Sequence, residues 1–310
     1  MSGSAPDISV LMTAYNAQQF VEETIRSVQG QTLSDFEFII VNDGSTDRTA
    51  EILDGFARQD SRIRVLHLEN QGIPKAANAG LAECRGEFVA RIDADDLAKP
   101  TRFAQQLPYI RQHGLVALGT WHDLIDEHGR FLRIQPTPVD DESIQRGALQ
   151  GHGTICNPTS MIRRAAILEV NGYSEDLSSA EDLDMWLKLG EIGRLGNLPV
   201  SMTQYRLHSG SISERRCELQ RRLAKMACER AWERRGISGS FEAGAMWRPG
   251  EDRTSQHHFA IEYGWWAFNS GEVGTARAYA QRAVRLKPWD PMGWKLMAAS
   301  VIRPGGGTPV

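Results

Sequence analysis

The sequence predicts an α/β fold, a mainly parallel sheet with helices on both faces, followed by an α-helical module at its C-terminal end. Three observations carry this expectation. Strand-like and helix-like segments alternate four times between Ile8 and Asp93, the pattern of a parallel sheet wound through helices. Three of those strands end directly in polar loops rich in Asp and Asn. From Glu214 onward the recurring pattern is helical.

Residues 8–12 form the first strand. Residues 17–28 then place Phe20, Val21, Thr24, Ile25 and Val28 at helical spacing, and Gln29-Gly30 ends the run. Residues 36–41 are the second strand. After the loop 42–47 comes a helix with Ile52, Leu53, Phe56 and Ala57 on one face. Residues 64–68 are strand three, Pro74 opens another helix, and residues 88–92 are strand four. Further on, 115–118 and 131–134 read as strands joined across a hairpin-compatible loop at 126–129. A short strand at 159–162, an amphipathic helix from Glu181 to Leu189 and a last strand at 202–207, ending at His208, complete this part.

Residues 214–235 are a basic helical run with an apolar stripe of Leu219, Leu223, Met226 and Ala227. It reads either as a charged face over a helix packed on the preceding domain or as a membrane-surface helix. Residues 259–300 carry a faint tetratricopeptide-like helix pair in Gly264-Trp265-Trp266, Gly271, Ala276, Ala280, Ala283 and Pro288. Five of the eight tryptophans, Trp247, Trp265, Trp266, Trp289 and Trp294, fall in this region, with core positions as the default expectation. The expected organisation is a flexible N-terminus (1–6), an α/β domain (7–213), a helical module (214–302) and a flexible tail (303–310).

With 41% hydrophobic and 24% charged residues over 310 positions, the chain can bury a sizeable core and is not a disordered protein. A net charge of −4 gives no global field for nucleic acid. Cys84, Cys156, Cys217 and Cys228 form no C-x-x-C pair, which points to reduced thiols in a cytosolic protein and away from a zinc site. The first residues lack a basic and apolar leader, and no apolar run approaches the ~18 residues of a membrane helix. The expected location is therefore the cytoplasm, with the inner face of the membrane as a peripheral alternative.

Open parallel sheets bind ligands outside the carboxyl ends of their strands. There the loops 13–16, 42–47 and 93–96 are expected to meet. The first two lead into helix N-termini, whose amides favour anions. In the third, Asp93-Ala-Asp95-Asp96 crowds three carboxylates at the end of an apolar strand. Such a cluster either caps the next helix, which Lys99-Pro100 would open, or holds Mg²⁺ or Mn²⁺ together with substrate phosphates. On an extended backbone Asp93 and Asp95 would face the same side. The phosphate-loop and dinucleotide fingerprints are absent, which excludes those nucleotide sites.

Taken together, Thr13-Ala-Tyr-Asn16, Val41-Asn-Asp43-Gly-Ser-Thr-Asp47, Asn70-Gln-Gly72 through Asn78-Ala-Gly80, Asp93-Ala-Asp95-Asp96, Glu181-Asp182 and Tyr205-Arg206-Leu-His208 resemble the family-2 glycosyltransferases with a GT-A fold. The resemblance spans about residues 7–213. It implies an inverting, metal-dependent transferase using a nucleotide-activated sugar, a UDP-sugar above others, with Mn²⁺ or Mg²⁺. Thr13, Tyr15 and Asn16 would line the nucleoside pocket, Asp43 would read the base, and Asp93 would hold the ribose or support the metal. Asp95 and His208 would bind the metal, Lys75 and Arg206 would contact the diphosphate, Glu181 would touch donor sugar or acceptor, and Asp182 would be the base. The acceptor class implied is a carbohydrate or lipid-linked hydroxyl in surface polysaccharide, lipopolysaccharide or glycolipid assembly. The C-terminal helices would contact a membrane or a second copy. Absence of Q-x-x-R-W speaks against a processive synthase. A non-enzymatic alternative is a sugar-nucleotide-binding scaffold acting through its helical module.

Overall fold

The computed structural model describes residues 5–208, 217–242 and 252–302. The expectations on the chain ends and on Trp247 lie outside the described residues. The chain divides into two compact units, one of residues 1–122, 136–205 and 218–244, the other of 123–135, 206–217 and 245–310.

In the first unit, β1 (Ile8–Ala14), β2 (Phe36–Asp43), β3 (Ile63–Leu68) and β4 (Phe88–Arg91) run parallel, with β1 between β2 and β4 and β3 outside β2. Their connections are α1 (Val21–Gln29), α2 (Thr49–Gln59) and α3 (Ile73–Glu83). Beyond β4 the sheet turns mixed: β8 (Met161–Arg163) pairs antiparallel with both β4 and β6 (Ala117–Asp126), and β5 (Leu97–Ala98) pairs antiparallel with β9 (Leu195–Leu207). The full order is β3-β2-β1-β4-β8-β6-β9-β5, with β7 (Phe131–Gln135) pairing β6. The remaining helices of this unit are α4 (Arg102–His113), α5 (Asp141–Leu149), α6 (Arg164–Glu169), α7 (Glu181–Ile192) and α8 (Cys217–Arg235).

Alternation along the strands makes two cores. Ile8, Val10, Met12, Phe38 and Ile40 pack against Val21 and Ile25 of α1, Leu53 of α2 and Phe103 of α4. Leu11, Ile39, Val41 and Val89 face Ala76 and Ala77 of α3, Ile167 of α6 and Trp186 of α7 on the other side. Gly80 of α3 lets that helix close on the sheet, since a Cβ there would strike Leu11 and Val41. Trp186 is 1% exposed, and its truncation would cost about 3–5 kcal/mol.

Two expectations change, and one open alternative is decided. Helix α4 starts at Arg102 rather than Lys99, because the Lys99 N–H donates to the Met202 carbonyl (2.9 Å) and residues 97–99 extend the sheet. Strand β9 is longer than residues 202–207: it begins at Leu195, and Pro199 within it sits at an exposed position. The basic helix α8 buries Leu223, Ala224, Ala227, Cys228 and Ala231 against Leu183 and Leu187 of α7. Its cations pair there, Arg230 with Asp176 (2.5 Å) and Arg234 with Glu191 (2.8 Å), so it is a packed helix with a charged face.

The second unit holds the end of β6, β7, and three helices, α9 (Arg253–Asn269), α10 (Val273–Leu286) and α11 (Pro291–Ile302). The Tyr279 hydroxyl donates to Asp126 (3.1 Å), which also pairs with Arg130 (2.7 Å), and Arg133 lies over the Trp266 ring at 4.4 Å. Trp265 and Trp266 are partly buried. Trp289 and Trp294 depart from the core expectation, being 79% and 54% exposed.

Candidate active site

At the carboxyl edge of β1 and β2, the two loops are laced together. The Asn16 amide donates to Ser45 Oγ (3.0 Å), Ala17 to Thr49 Oγ1 (2.8 Å) and Gln18 to Asp47 (3.2 Å), while Asn16 Oδ1 accepts from the Thr46 amide (2.8 Å). Asn16 takes the left-handed conformation, φ 50°, that this lacing needs and Asn tolerates. The expected anion-binding amides ahead of α1 are thus satisfied by side chains of the neighbouring loop. Thr13 is partly buried at the end of β1, and Tyr15 stands 52% exposed beside it.

Asp43 is 4% exposed, and both its carboxylate oxygens already accept amides, from Gln71 (3.0 Å) and Gly72 (2.9 Å). The Asn70 side chain donates to the Asp43 carbonyl (3.0 Å). Asp43 therefore shapes the 70–72 segment that caps α3, and each oxygen keeps a lone pair for a ligand donor. Gly44 (φ 71°) is required at this crossing, because a Cβ would lie 2.5 Å from the Asn70 amide nitrogen. Lys75, on the first turn of α3, is half-exposed and 3.9 Å from Glu175.

The acid loop begins where β4 ends. The Asp96 amide returns to the Asp93 carbonyl (3.2 Å), closing a turn. The extended-backbone argument for Asp93 and Asp95 facing one side therefore does not hold. Under the turn lie two buried arginines that sequence reasoning passed over. Arg91, 1% exposed, approaches Asp93 Oδ1 at 3.8 Å and lies 5.7 Å from the centre of the Tyr173 ring, and its Nε and Nη1 find no protein acceptor among the described residues. Arg102, fully buried, donates to the carbonyls of Arg91 (2.8 Å) and Ser160 (3.0 Å) and to Gln106 (2.9 Å), tying α4 to β4 and β8. Burial pulls its pKa down to about 9, against the pull of Asp96. A charged residue inside the apolar run Phe88-Val-Ala-Arg-Ile92 was the available signal.

Helix α7 brings its first-turn acids to the same cluster. Glu181, 8% exposed, accepts the Ser179 amide (2.7 Å), and Asp182 accepts the Leu183 amide (2.7 Å). Burial first, then Asp182, pushes the Glu181 carboxyl up to about 7. Asp182 is raised by burial against its amide bonds. Asp93 is pushed up to about 6, by burial first, with Asp95 and Asp182 adding to it and Arg91 opposing. Mutual repulsion among Asp93, Glu181 and Asp182 places them within electrostatic reach of one another. Ser179 is held at φ 119°, a costly conformation for a residue with a Cβ, immediately before the acid pair.

The segment preceding α7 is clamped across 95 residues of sequence. Asn78 of α3 donates to the Tyr173 carbonyl and accepts the Tyr173 amide, both at 2.9 Å. Asp184 accepts from Ser174 Oγ (2.6 Å) and pairs with Lys188 (3.0 Å), which also donates to the Gly172 carbonyl (2.7 Å). The Asn78-Ala-Gly80 motif is thus architectural in both its named residues.

The structure brings Asp93, Glu181 and Asp182 together, with Asp95 in the same turn as Asp93. Arg206, 3% exposed at the end of β9, and His208, partly buried just after it, belong to the second unit. Among the described residues no three of His, Cys, Asp and Glu form a ready-made metal cage. The donor chemistry of the 93–96 turn nonetheless fits Mg²⁺ or Mn²⁺, which take one or two carboxylates and complete their shell with phosphate oxygens and water.

The parallel β3-β2-β1-β4 half, the antiparallel half beyond it and the acid turn at the strand edge define a GT-A fold. The family model described as Glycosyl transferase family 2 matches residues 9–170, and the chain belongs to that family. It is 33% identical over 208 residues to the O-antigen biosynthesis glycosyltransferase WbnJ of Escherichia coli, covering 66% of this chain and 81% of that one. It is 32% identical over 223 residues to an uncharacterized glycosyltransferase of Haemophilus influenzae, covering 68% of each. Among solved structures, S. aureus TarS 1-349 in complex with UDP-GlcNAc has a TM-score of 0.60 at 18% identity, over 96% of this chain and 88% of that one. The mannosyltransferase PcManGT from Pyrobaculum calidifontis, in complex with GDP-Man and Mn²⁺, has a TM-score of 0.58 at 16% identity, over 96% and 86%.

Proposed function

We propose that this glycosyltransferase moves a sugar from a nucleotide-sugar, a UDP-sugar above others, to a hydroxyl of a carbohydrate or lipid-linked acceptor with inversion at the anomeric carbon. The observation that carries this reading is the cluster of Asp93, Glu181 and Asp182, three carboxyls with raised proton affinity at the carboxyl edge of the sheet. Inversion needs a base on the face opposite the leaving diphosphate, and a carboxylate whose pKa is raised is a better base at neutral pH. Asp182 takes that role, and Glu181 contacts the donor sugar or acceptor. At the other end, Thr13, Tyr15 and Asn16 line the nucleoside pocket, and the amide-bound Asp43 offers its remaining lone pairs to the base. Asp95 would hold Mn²⁺ or Mg²⁺, which supplies charge neutralisation of the departing diphosphate when bound. Asp93 supports that site or the ribose. Lys75 adds positive charge towards the diphosphate. In this reading the unit that holds the sheet, with α8 packed on it, forms the catalytic domain, and α9 to α11 form a helical module. The relationship to an O-antigen biosynthesis enzyme supports a role in surface polysaccharide, lipopolysaccharide or glycolipid assembly.

The test is a donor screen with Mn²⁺ or Mg²⁺ that follows nucleotide release, on wild type, Asp182→Asn and Asp95→Ala. Both variants are expected to lose at least about a hundredfold in kcat. Full transfer by Asp182→Asn would remove it as the base, and no donor bound by wild type with metal would overturn the transferase reading.

A further inference from the structure

Helix α11 packs on one side only. Gly293, Leu296 and Ser300 are buried, Leu296 occupying space that Gly264 leaves and Gly293 lying against Val284. The opposite side carries Trp294, Ala298, Val301 and Ile302, spaced by three, four or one residues and therefore on one helical stripe. Trp294 is 54% exposed, Val301 62% and Ile302 80%, and Trp289, just before the helix, is 79% exposed. The Trp294 indole N–H already donates to the Pro288 carbonyl (2.8 Å), so the ring presents apolar surface outward. Lys295 is exposed on the helix itself, and Arg285, exposed in the last turn of α10, and Lys287, partly exposed, precede it in the chain. The acid in this stretch, Asp290, accepts the Met292 amide (2.9 Å) and so caps the helix. Over residues 252–302 six Lys or Arg stand against four Asp or Glu, in a chain whose overall charge is −4.

We propose that this face of α11 docks on an anionic lipid bilayer, with the helix lying in the interface, Trp289 and Trp294 at headgroup depth, and Arg285, Lys287 and Lys295 on lipid phosphates. Tryptophan flanked by lysine is the composition of a membrane interface, whereas Lys is depleted at protein–protein contacts. Among the described residues no helix is long and apolar enough to cross a membrane, so the contact is one of surface adsorption. The inference stands apart from the sugar-transfer chemistry, because its readout is lipid binding and needs no donor or acceptor.

The experiment is co-sedimentation of the full chain with phosphatidylcholine vesicles carrying about 30% phosphatidylglycerol or none. Wild type should pellet with the anionic vesicles and lose that partition in high salt. Trp289→Ala with Trp294→Ala, and separately Lys287→Glu with Lys295→Glu, should each lower the partition coefficient by at least about tenfold. Val301→Ser with Ile302→Ser, at the exposed end of the stripe, serves if the tryptophan pair disturbs folding. Wild type left in the supernatant with anionic vesicles, or stripe variants that pellet as well as wild type, would overturn the proposal. So would a concentration-dependent dimer abolished by the same substitutions, which would give the face to a second copy of the chain.

Discussion

Arg91→Met separates what the buried guanidinium does for the site from what it does for the fold. At 3.8 Å from Asp93 and an effective dielectric of about 20, the pair attracts by about 4 kcal/mol. The Asp93 side chain is 37% exposed, and solvent screening reduces that figure to about 1–2 kcal/mol. If the cation is what holds Asp93 ionised and in place, kcat/KM should fall about 5- to 30-fold. Stability should fall by no more than about 1–2 kcal/mol, because Asp93, left without its counter-ion, can take up a proton and methionine fills a similar volume. Initial-rate kinetics and a thermal melt on the same preparation read the two effects apart. Unchanged kcat/KM would refute the coupling. A loss of rate that tracked a fall in Tm of more than about 5 °C would assign Arg91 to the core alone.

Glu181→Gln tests the raised acid of α7. Its pKa rises from 4.5 unfolded to about 7 folded, so the folded state holds the proton more tightly; that contribution is full below 4.5 and lost as pH rises through about 7. The glutamine variant should therefore melt about 2–4 °C above wild type near pH 8 and within about 1 °C of it near pH 4.5, and a constant difference across that range would remove the charge argument. Gly172→Ala should cost about 2–3 kcal/mol in chemical denaturation, since φ is +67° and the added Cβ would meet Asn78 Oδ1 at 2.6 Å. Adding Asn78→Ala should recover part of that loss at most, because the strained backbone remains; complete recovery would show that the clash was the whole cost.

The parallel half of the fold was legible because each strand and helix announces itself by local period: Val21, Ile25 and Val28 on α1 and the alternation of Phe38, Ile39, Ile40 and Val41 on β2 are written within single segments. The loops of the site were legible for the same reason, since each follows its strand. What the sequence did not show is what crosses it. The clamp of Asn78 on Tyr173, the reach of Arg102 to Ser160 and the amides of Gln71 and Gly72 on Asp43 join residues between 28 and 95 positions apart. The exposure of Trp289 and Trp294 was hidden too, because an apolar helix with one packed face reads like a core helix when its partners are unknown.

The lacing of the first two loops has a consequence for anyone altering this enzyme. Ser45, Asp47 and Thr49 belong to one loop in sequence but hold the backbone of the other, at Asn16, Ala17 and Gln18. The two loops therefore behave as one inherited block: a substitution made in either is felt in both, and combined changes there will not add. Tyr15 is exposed and its side chain holds none of these bonds, so a change there acts on the nucleoside pocket and leaves the lacing intact.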